Sequence, residues 1–170
     1  KGVYEDAGAT ASDNYDGDLT ANIVTVNPVD TDNPGTYTIT YNVTDANGNS
    51  AVEVTRTVNV NDTTLPVISL VGDATVTVEV NGTYNDAGAT ASDTLDGDIT
   101  NSIVTVNPVD TSTIGSYTIT YNVSDSEGND ATEVTRTVNI VDNTKPTITL
   151  TGDDTVDVEV KTTYTDAGAT

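Results

Sequence analysis

The stretch from Gly115 to Val123 reads Gly-Ser-Tyr-Thr-Ile-Thr-Tyr-Asn-Val, with a large apolar side chain at every second position from Tyr117 onward. Successive side chains of a β-strand point to opposite faces, so this alternation predicts a strand with one buried face. The glycine two residues before Tyr117 is typical of a corner at which a strand enters its sheet. There the tyrosine hydroxyl bonds back to the backbone, so we assign Tyr117 and its counterpart Tyr37 a structural role.

The same alternation extends outward from this stretch in both directions. Valines occupy every second position in Val76–Val80, with Thr or Glu between them. In Val134–Ile140 the residues Val134, Val138 and Ile140 share one face, with Thr and Asn on the other. Gly, Asp and Asn separate the runs, as in turns, and no segment has a helical period. The sequence therefore predicts an all-β fold, an antiparallel sandwich of about seven strands per repeat.

The chain is built from a repeat of 80 residues. The segment Asp-Ala-Gly-Ala-Thr begins at Asp6, at Asp86 and again at Asp166, which gives the same spacing twice. A period of this length fits a small self-sufficient domain rather than a solenoid unit. We interpret these three aspartates as turn residues that bond the backbone, with metal ligation as the alternative.

Two short polar hinges that end in proline, Asn61–Pro66 and Val141–Pro146, mark the expected domain boundaries. Residues 62–141, called here the second repeat, form a complete domain in this interpretation. Residues 1–61, the first repeat, lack its first two strands. Residues 142–170 supply a linker and the first two strands of a third repeat. We expect a piece of a long array, or a chain whose ends are completed by neighbouring chains.

Four stretches of the sequence carry a resemblance to a known family of domains. They are Tyr84-Asn-Asp-Ala-Gly-Ala-Thr-Ala, Gly115-Ser-Tyr-Thr-Ile-Thr-Tyr-Asn-Val-Ser-Asp, Glu133-Val-Thr-Arg-Thr-Val and Pro146-Thr-Ile-Thr-Leu. Through these stretches the chain resembles the bacterial immunoglobulin-like surface repeats of long secreted adhesins and some pesticidal crystal proteins, which are similar to hyalin-repeat domains. The resemblance implies tandem immunoglobulin-like sandwiches on a bacterial surface or outside the cell, serving as spacers and adhesive stalks.

The composition excludes several function classes. Because the chain has no Cys and no His, it cannot form a thiolate nucleophile, a Ser-His-Asp relay or an ordinary zinc site. Its aromatic residues are eight tyrosines, too few for the sugar cleft of a carboxylate glycosidase. We therefore expect no enzyme. A formal net charge of −22 repels nucleic acid and anionic lipid, and no apolar run is long enough for membrane insertion in this segment.

Acidic residues cluster in two Gly-containing loops per repeat, and both loops offer the oxygen ligands that Ca²⁺ prefers. The spacing does not match an EF-hand. In the first loop the candidate ligands are Asp93, Asp96 and Asp98, matched in the first repeat by Asp13, Asp16 and Asp18. In the second loop they are Asp125, Glu127 and Asn129, matched by Asp45, Asn47 and Asn49.

Both loops are expected at the pole where the chain enters the sandwich, facing the hinge. Asp62 in the first hinge and Asp142 in the second are therefore further candidate ligands. Three acidic segments at one junction repel one another, and a bound Ca²⁺ would offset the repulsion and stiffen the joint. The alternative is that these residues are turn formers, present for backbone reasons.

Arg56 and Arg136 fall on the inward side of the last strand of their repeats. An unpaired buried guanidinium is strongly unfavourable, so we expect each arginine to pair with a carboxylate. This role belongs to the fold and not to catalysis.

The leading functional hypothesis is a structural array in an extracellular stalk, filament or adhesin, with junctions stiffened by Ca²⁺. Its expected partners are neighbouring repeats of the same protein and other copies of the chain. A carbohydrate- or surface-binding module is one alternative. A self-assembling fibre subunit, completed by strand donation between chains, is the other.

Overall fold

The computed structural model describes residues 2–170, which form short strands and two 3₁₀ turns, Thr20–Asn22 and Thr100–Ser102. The first repeat contains β1 (Ser12–Asp13), β2 (Gly17–Asp18), β3 (Val24–Val26), β4 (Gly35–Asn42) and β5 (Val54–Val60). The next strands are β6 (Val67–Leu70), β7 (Thr75–Glu79), β8 (Ala89–Asp93), β9 (Gly97–Asp98), β10 (Val104–Val106), β11 (Gly115–Asn122) and β12 (Val134–Val141). The predicted all-β class is confirmed, and β6 to β12 give the second repeat its seven strands.

The strands of each repeat form separate sheets. In the first repeat β3, β4 and β5 form one antiparallel sheet, and β1 pairs with β2. In the second repeat β6, β8 and β9 form one sheet, and the other has the order β10-β11-β12-β7. The β12–β7 pair is parallel, with Val141 opposite Glu79. Parallel pairing brings the ends of these two strands to the same edge of the sheet.

Residues 142–170 were expected to supply two strands, and the structure forms none there. An isolated antiparallel bridge joins Leu150 to Ala169. In the second repeat the equivalent segments pair with β8 and with β12. The backbone of residues 142–170 instead pairs locally, between Thr149 and Thr170 (2.9 and 3.0 Å) and from the N–H of Thr151 to the carbonyl of Gly168 (3.0 Å).

By packing, the chain divides into two compact units. The first extends to Val67 and includes Ala91–Ser102 and Val123–Thr132. The second consists of Ile68–Thr90, Ile103–Asn122 and Glu133–Thr170. Residues 62–141 are divided between the two units. The domain boundaries at the hinges therefore stay a prediction.

Each unit buries the inward face of its long strands. The buried apolar residues of the first unit are Ile39, Tyr41, Ala91 and Val123, and those of the second are Ile68, Ile119, Tyr121, Val138 and Ile140. The alternation along β4 and β11 places these side chains on one face, and the threonines between them face outward.

Candidate metal centre

Asp93 is the last residue of β8 and begins the loop that leads to β9. Its Oδ1 atom accepts hydrogen bonds from the backbone N–H groups of Leu95 (2.7 Å) and Asp96 (3.2 Å). Aspartate is common at such turns because its side chain can satisfy nearby backbone donors. The turn uses Oδ1 alone, so Oδ2 is left for another partner.

Asp125 occupies the second loop, between β11 and β12, and is 9% exposed. Its Oδ1 accepts from the backbone N–H groups of Glu127 (3.0 Å) and Asn129 (2.7 Å), and its Oδ2 accepts from Asn129 Nδ2 (2.7 Å). Burial acts to raise the pKa of Asp125, but the hydrogen bonds from Asn129 and Glu127 outweigh it and lower the pKa. These bonds hold the carboxylate in its ionised form.

The hinge approaches the two loops through Asp62. Its Oδ1 accepts from the backbone N–H of Thr64 (2.9 Å), and its backbone carbonyl accepts from Asn129 Nδ2 (3.2 Å). Asn129 therefore donates to Asp125 and to Asp62 at once. A single amide group ties the hinge to the second loop, so Asn129 acts as a positioning residue and not as a ligand through this nitrogen.

The carboxylates of Asp62, Asp93 and Asp125 converge. One oxygen from each lies within 4.8 Å of the other two, and all three residues belong to the first compact unit. Asp93 is 8% exposed. The Oδ2 atoms of Asp62 and Asp93 are buried and accept no hydrogen bond from any described residue. A buried polar atom without a protein partner is uncommon in folded proteins, so these two oxygens are free to accept a ligand.

The donor set fits a hard cation. All three ligands are carboxylate oxygens, which Ca²⁺ binds at 2.3–2.6 Å, and soft or imidazole ligands are absent from the sequence. Ca²⁺ takes about six to eight oxygens, so backbone carbonyls and water would have to complete the shell. In chemical terms the cluster could hold a divalent cation and neutralise its own repulsion by doing so.

Three other predicted ligands of the second repeat do not join the cluster. Asp96 instead accepts from the backbone N–H (2.7 Å) and the hydroxyl (2.8 Å) of Ser126, and so connects the two loops. Asp98 caps the next turn by accepting from the backbone N–H of Thr100 at 3.0 Å. Glu127 contributes its backbone N–H to Asp125, and its side chain is not among the converging groups.

The first repeat contains the same two loops without a third carboxylate. Asp13 Oδ1 accepts from the backbone N–H groups of Tyr15 (2.7 Å) and Asp16 (3.0 Å), and Asp45 accepts from Asn49 Nδ2 (2.7 Å). The charge of Asp45 acts to raise the pKa of Asp13, although hydrogen bonds from Asp16 and Tyr15 lower it overall. The carboxylates of Asp13 and Asp45 are therefore neighbours. Within residues 2–170, no third carboxylate forms a close group with them.

The remaining candidates have turn or linker roles. Asp16 accepts from the backbone N–H of Ala46, which links the loops of the first repeat as Asp96 does in the second. Asp142 bonds the hinge backbone with the geometry of Asp62. The Asp16–Ala46 bond is 3.2 Å long, and the bond from the Thr144 backbone N–H to Asp142 Oδ1 is 3.0 Å. Asp18 Oδ1 accepts from the backbone N–H of Thr20 (2.9 Å), and the backbone N–H of Asn47 donates to Asp45 Oδ1 (2.9 Å).

The aspartates of the first two Asp-Ala-Gly-Ala-Thr segments, Asp6 and Asp86, each pair with an arginine, whereas Asp166 accepts from the Tyr164 hydroxyl (3.3 Å). In the second unit Arg136 forms an ion pair with Asp86, and Asp86 also accepts from Tyr121 (2.7 Å) and Tyr84 (3.0 Å). Burial acts to raise the pKa of Asp86, but the bonds from Tyr121, Tyr84 and Arg136 lower it. The Arg136 guanidinium also donates to the backbone carbonyls of Asp73, Val71 and Gly88.

Arg56 repeats this ion pair in the first repeat with Asp6, while Tyr41 donates to the same carboxylate. Tyr37 and Tyr117 form the strand corners. Their hydroxyls donate to the backbone carbonyls of Asn33 (2.8 Å) and Thr113 (3.0 Å). These contacts are consistent with the structural roles predicted for Arg56, Arg136, Tyr37 and Tyr117.

None of the described helical segments has the length and apolar character needed to cross a bilayer.

Comparison with known proteins finds relatives in which this chain corresponds to a part. It is 37% identical over 177 residues to hyalin from Lytechinus variegatus, covering 95% of this chain and 32% of hyalin. It is 34% identical over 136 residues to a pesticidal crystal protein of Bacillus thuringiensis, covering 76% of this chain and 18% of that protein. The chain thus spans about a third or less of these curated relatives.

A crystal structure of a lipoprotein from Bacteroides thetaiotaomicron is also similar, with 28% identity and a TM-score of 0.42 over 48% of this chain and 40% of that one. The family described as "Bacterial surface protein, Ig-like domain" matches residues 2–60 and again residues 68–140. The chain therefore belongs to the family of bacterial surface protein immunoglobulin-like domains.

Proposed function

We propose that this chain is a structural module of a bacterial surface or secreted protein, and that a Ca²⁺ ion held by Asp62, Asp93 and Asp125 stiffens the joint between its repeats. The module acts as a spacer and carries no catalytic group. Its immediate partners are the neighbouring repeats of the same protein. Membership of a surface-protein family supports the location outside the cell.

The observation that carries the proposal is the pair of buried Oδ2 atoms, on Asp62 and Asp93, that have no hydrogen-bond partner among the described residues. A turn-forming role explains the Oδ1 atoms, which bond the backbone, but it does not explain these two oxygens. Each of these two aspartates also has a carboxylate oxygen within 4.8 Å of one from Asp125. Buried like charges repel strongly unless a cation compensates them.

A cation at this place would connect three chain segments that are far apart in sequence. Asp62 lies in the hinge, Asp93 follows β8, and Asp125 lies in the loop after β11. The ion would therefore fix the hinge against both loops at once. Because the unfolded chain does not hold these oxygens together, binding would also stabilise the folded state.

Calcium titration of the purified chain tests the proposal, with a variant of each repeat as a matched pair. We expect calorimetry to show one tight site per chain. Asp93→Asn should abolish that site, and Asp13→Asn should leave it intact, because Asp13 has the same loop position and turn bonds but no third carboxylate. Saturating Ca²⁺ should raise the wild-type Tm by about 5–10 °C over the chelated protein.

Two results would contradict the proposal. A wild-type chain that binds no Ca²⁺ at millimolar concentration would exclude the metal site. Equal Ca²⁺ binding by wild type and Asp93→Asn would place the ion elsewhere. Small-angle scattering with and without chelator tests the stiffening separately, since unchanged dimensions would remove the mechanical role even if the ion binds.

A further inference from the structure

Glu79 lies where the chain leaves the second repeat. It is the last residue of β7, and it is opposite Val141, the last residue of β12. Because β7 and β12 are parallel, both strands end at the same edge of the sheet, so the linker that follows β12 passes the end of β7. The linker begins at Asp142 and ends at Pro146.

The Glu79 carboxylate binds that linker through three donors. Its oxygens accept from the backbone N–H of Asn143 (2.9 and 3.2 Å), from the backbone N–H of Thr144 (3.2 Å) and from the Thr144 hydroxyl (2.9 Å). Hydrogen bonds to an ionised acceptor are stronger than neutral ones. Those from Asn143 and Thr144 lower the pKa of Glu79.

The backbone around Glu79 is itself fixed. Its carbonyl accepts from the N–H of Gly82 (2.8 Å) in a turn where Asn81 has a left-handed φ of 64°. The N–H of Val80 donates to the carbonyl of Val141 (2.7 Å). The carboxylate is therefore held at a defined place relative to the end of β12, and a clamp on the linker there fixes the direction of the outgoing chain.

We infer that Glu79 is a metal-independent clamp that anchors the linker Asp142–Pro146 to the repeat it leaves. The clamp is distinct from the cluster at Asp62, which lies at the other hinge, Asn61–Pro66, and is made of carboxylates from the repeat that this hinge enters. If each joint of the array repeats both features, it has two independent attachments, one made by a glutamate to backbone N–H groups and one made by a cation.

Hydrogen exchange of the Asn143 and Thr144 amides, followed by NMR on the whole chain in excess chelator, tests the clamp. In the wild type both amides should be protected. In Glu79→Ala they should exchange about tenfold faster or more, because each loses an ionic acceptor. Glu133→Ala is the matched control, since within residues 2–170 Glu133 accepts from the Asn122 side chain and shows no hydrogen bond to the linker. Core amides of Ile119 and Val138 should keep their protection in both variants.

A second variant keeps the test decisive if Glu79→Ala lowers overall stability. Glu79→Gln retains the shape and one acceptor oxygen but loses the charge, so its exchange rates should fall between those of the wild type and the alanine variant. Wild-type amides that exchange at unstructured rates, or rates unchanged in both Glu79 variants, would overturn the clamp. Chelator is present throughout, so the result does not depend on whether Ca²⁺ binds at Asp62.

Discussion

At the scale of single residues, the two copies of the arginine–aspartate pair differ in their surroundings. The Arg136 side chain is 2% exposed, whereas that of Arg56 is 37% exposed. Arg136 also donates to carbonyls of Asp73 and Val71, which belong to segments beside β12, and the bonds of Arg56 reach Asp6 and Gly8. The arginine of the motif is therefore almost fully desolvated in one repeat and partly hydrated in the other, whereas the paired aspartates are similarly buried.

This difference predicts unequal effects of removing the two arginines. Arg136→Ala removes the counter-charge of the Asp86 carboxylate and a shared donor to the carbonyls of Val71, Asp73 and Gly88, and we expect it to cost about 3–5 kcal/mol of unfolding free energy. Arg56→Ala should cost less, because water reaches the Asp6 pair. Hydrogen exchange by mass spectrometry, comparing peptides of β12 and β5, measures the two losses separately. Equal losses would show that burial of the pair does not determine its contribution.

At the scale of elements, the turn that follows β7 determines where Glu79 stands. A Cβ atom built on Gly82 would lie 2.7 Å from the Glu79 carbonyl oxygen and 3.3 Å from a Val78 methyl. The oxygen is part of the backbone, so it cannot move without moving the end of the strand. A glycine is required here by the close approach of two backbone segments.

Gly82→Ala should therefore destabilise the protein by about 1–3 kcal/mol through overpacking. It should also shift the NMR signals of Asn143 and Thr144, because the displaced Glu79 carries its carboxylate with it. Gly115→Ala is the control, since a Cβ there meets only the Tyr117 ring at an ordinary 3.7 Å. Denaturant unfolding and amide spectra of both variants check this. Similar behaviour of the two variants would contradict a role for the tight turn.

The sequence predicts the strands well and the chemistry of individual oxygens poorly. Period-two alternation is sufficient to locate β4 and β11, since each has one buried face. Asp93 and Asp96 stand in the same acidic loop, however, and spacing alone cannot tell which carboxylate keeps a free oxygen and which binds Ser126. Nothing in the sequence singles out Glu79 as a linker contact, although it is the charged residue of a Val/Thr strand and recurs as Glu159. Its role depends on the parallel pairing of β7 with β12, which no local pattern reveals.

At the scale of the whole molecule, the chain has 27 acidic residues and 5 basic ones, which gives a formal net charge of −22. Self-repulsion of this size disfavours the compact state, and salt relieves it by screening over a Debye length of about 10 Å at 0.1 M. Screening acts on all exposed carboxylates and has no preference among cations of equal charge. Binding at Asp62, Asp93 and Asp125 is local and depends on ionic radius and ligand number. The two effects can therefore be separated.

We expect NaCl to raise the Tm of both the wild type and the double variant Asp62→Asn/Asp93→Asn, because both retain a large negative charge. At equal ionic strength, Ca²⁺ should raise the wild-type Tm further than Mg²⁺, since Mg²⁺ gives up its water reluctantly. The double variant should lose this difference between Ca²⁺ and Mg²⁺ and keep its response to NaCl. Thermal melts monitored by circular dichroism at matched ionic strength measure all three responses. A wild type that responds alike to the two divalent cations would show that general screening, and not a site, accounts for its dependence on calcium.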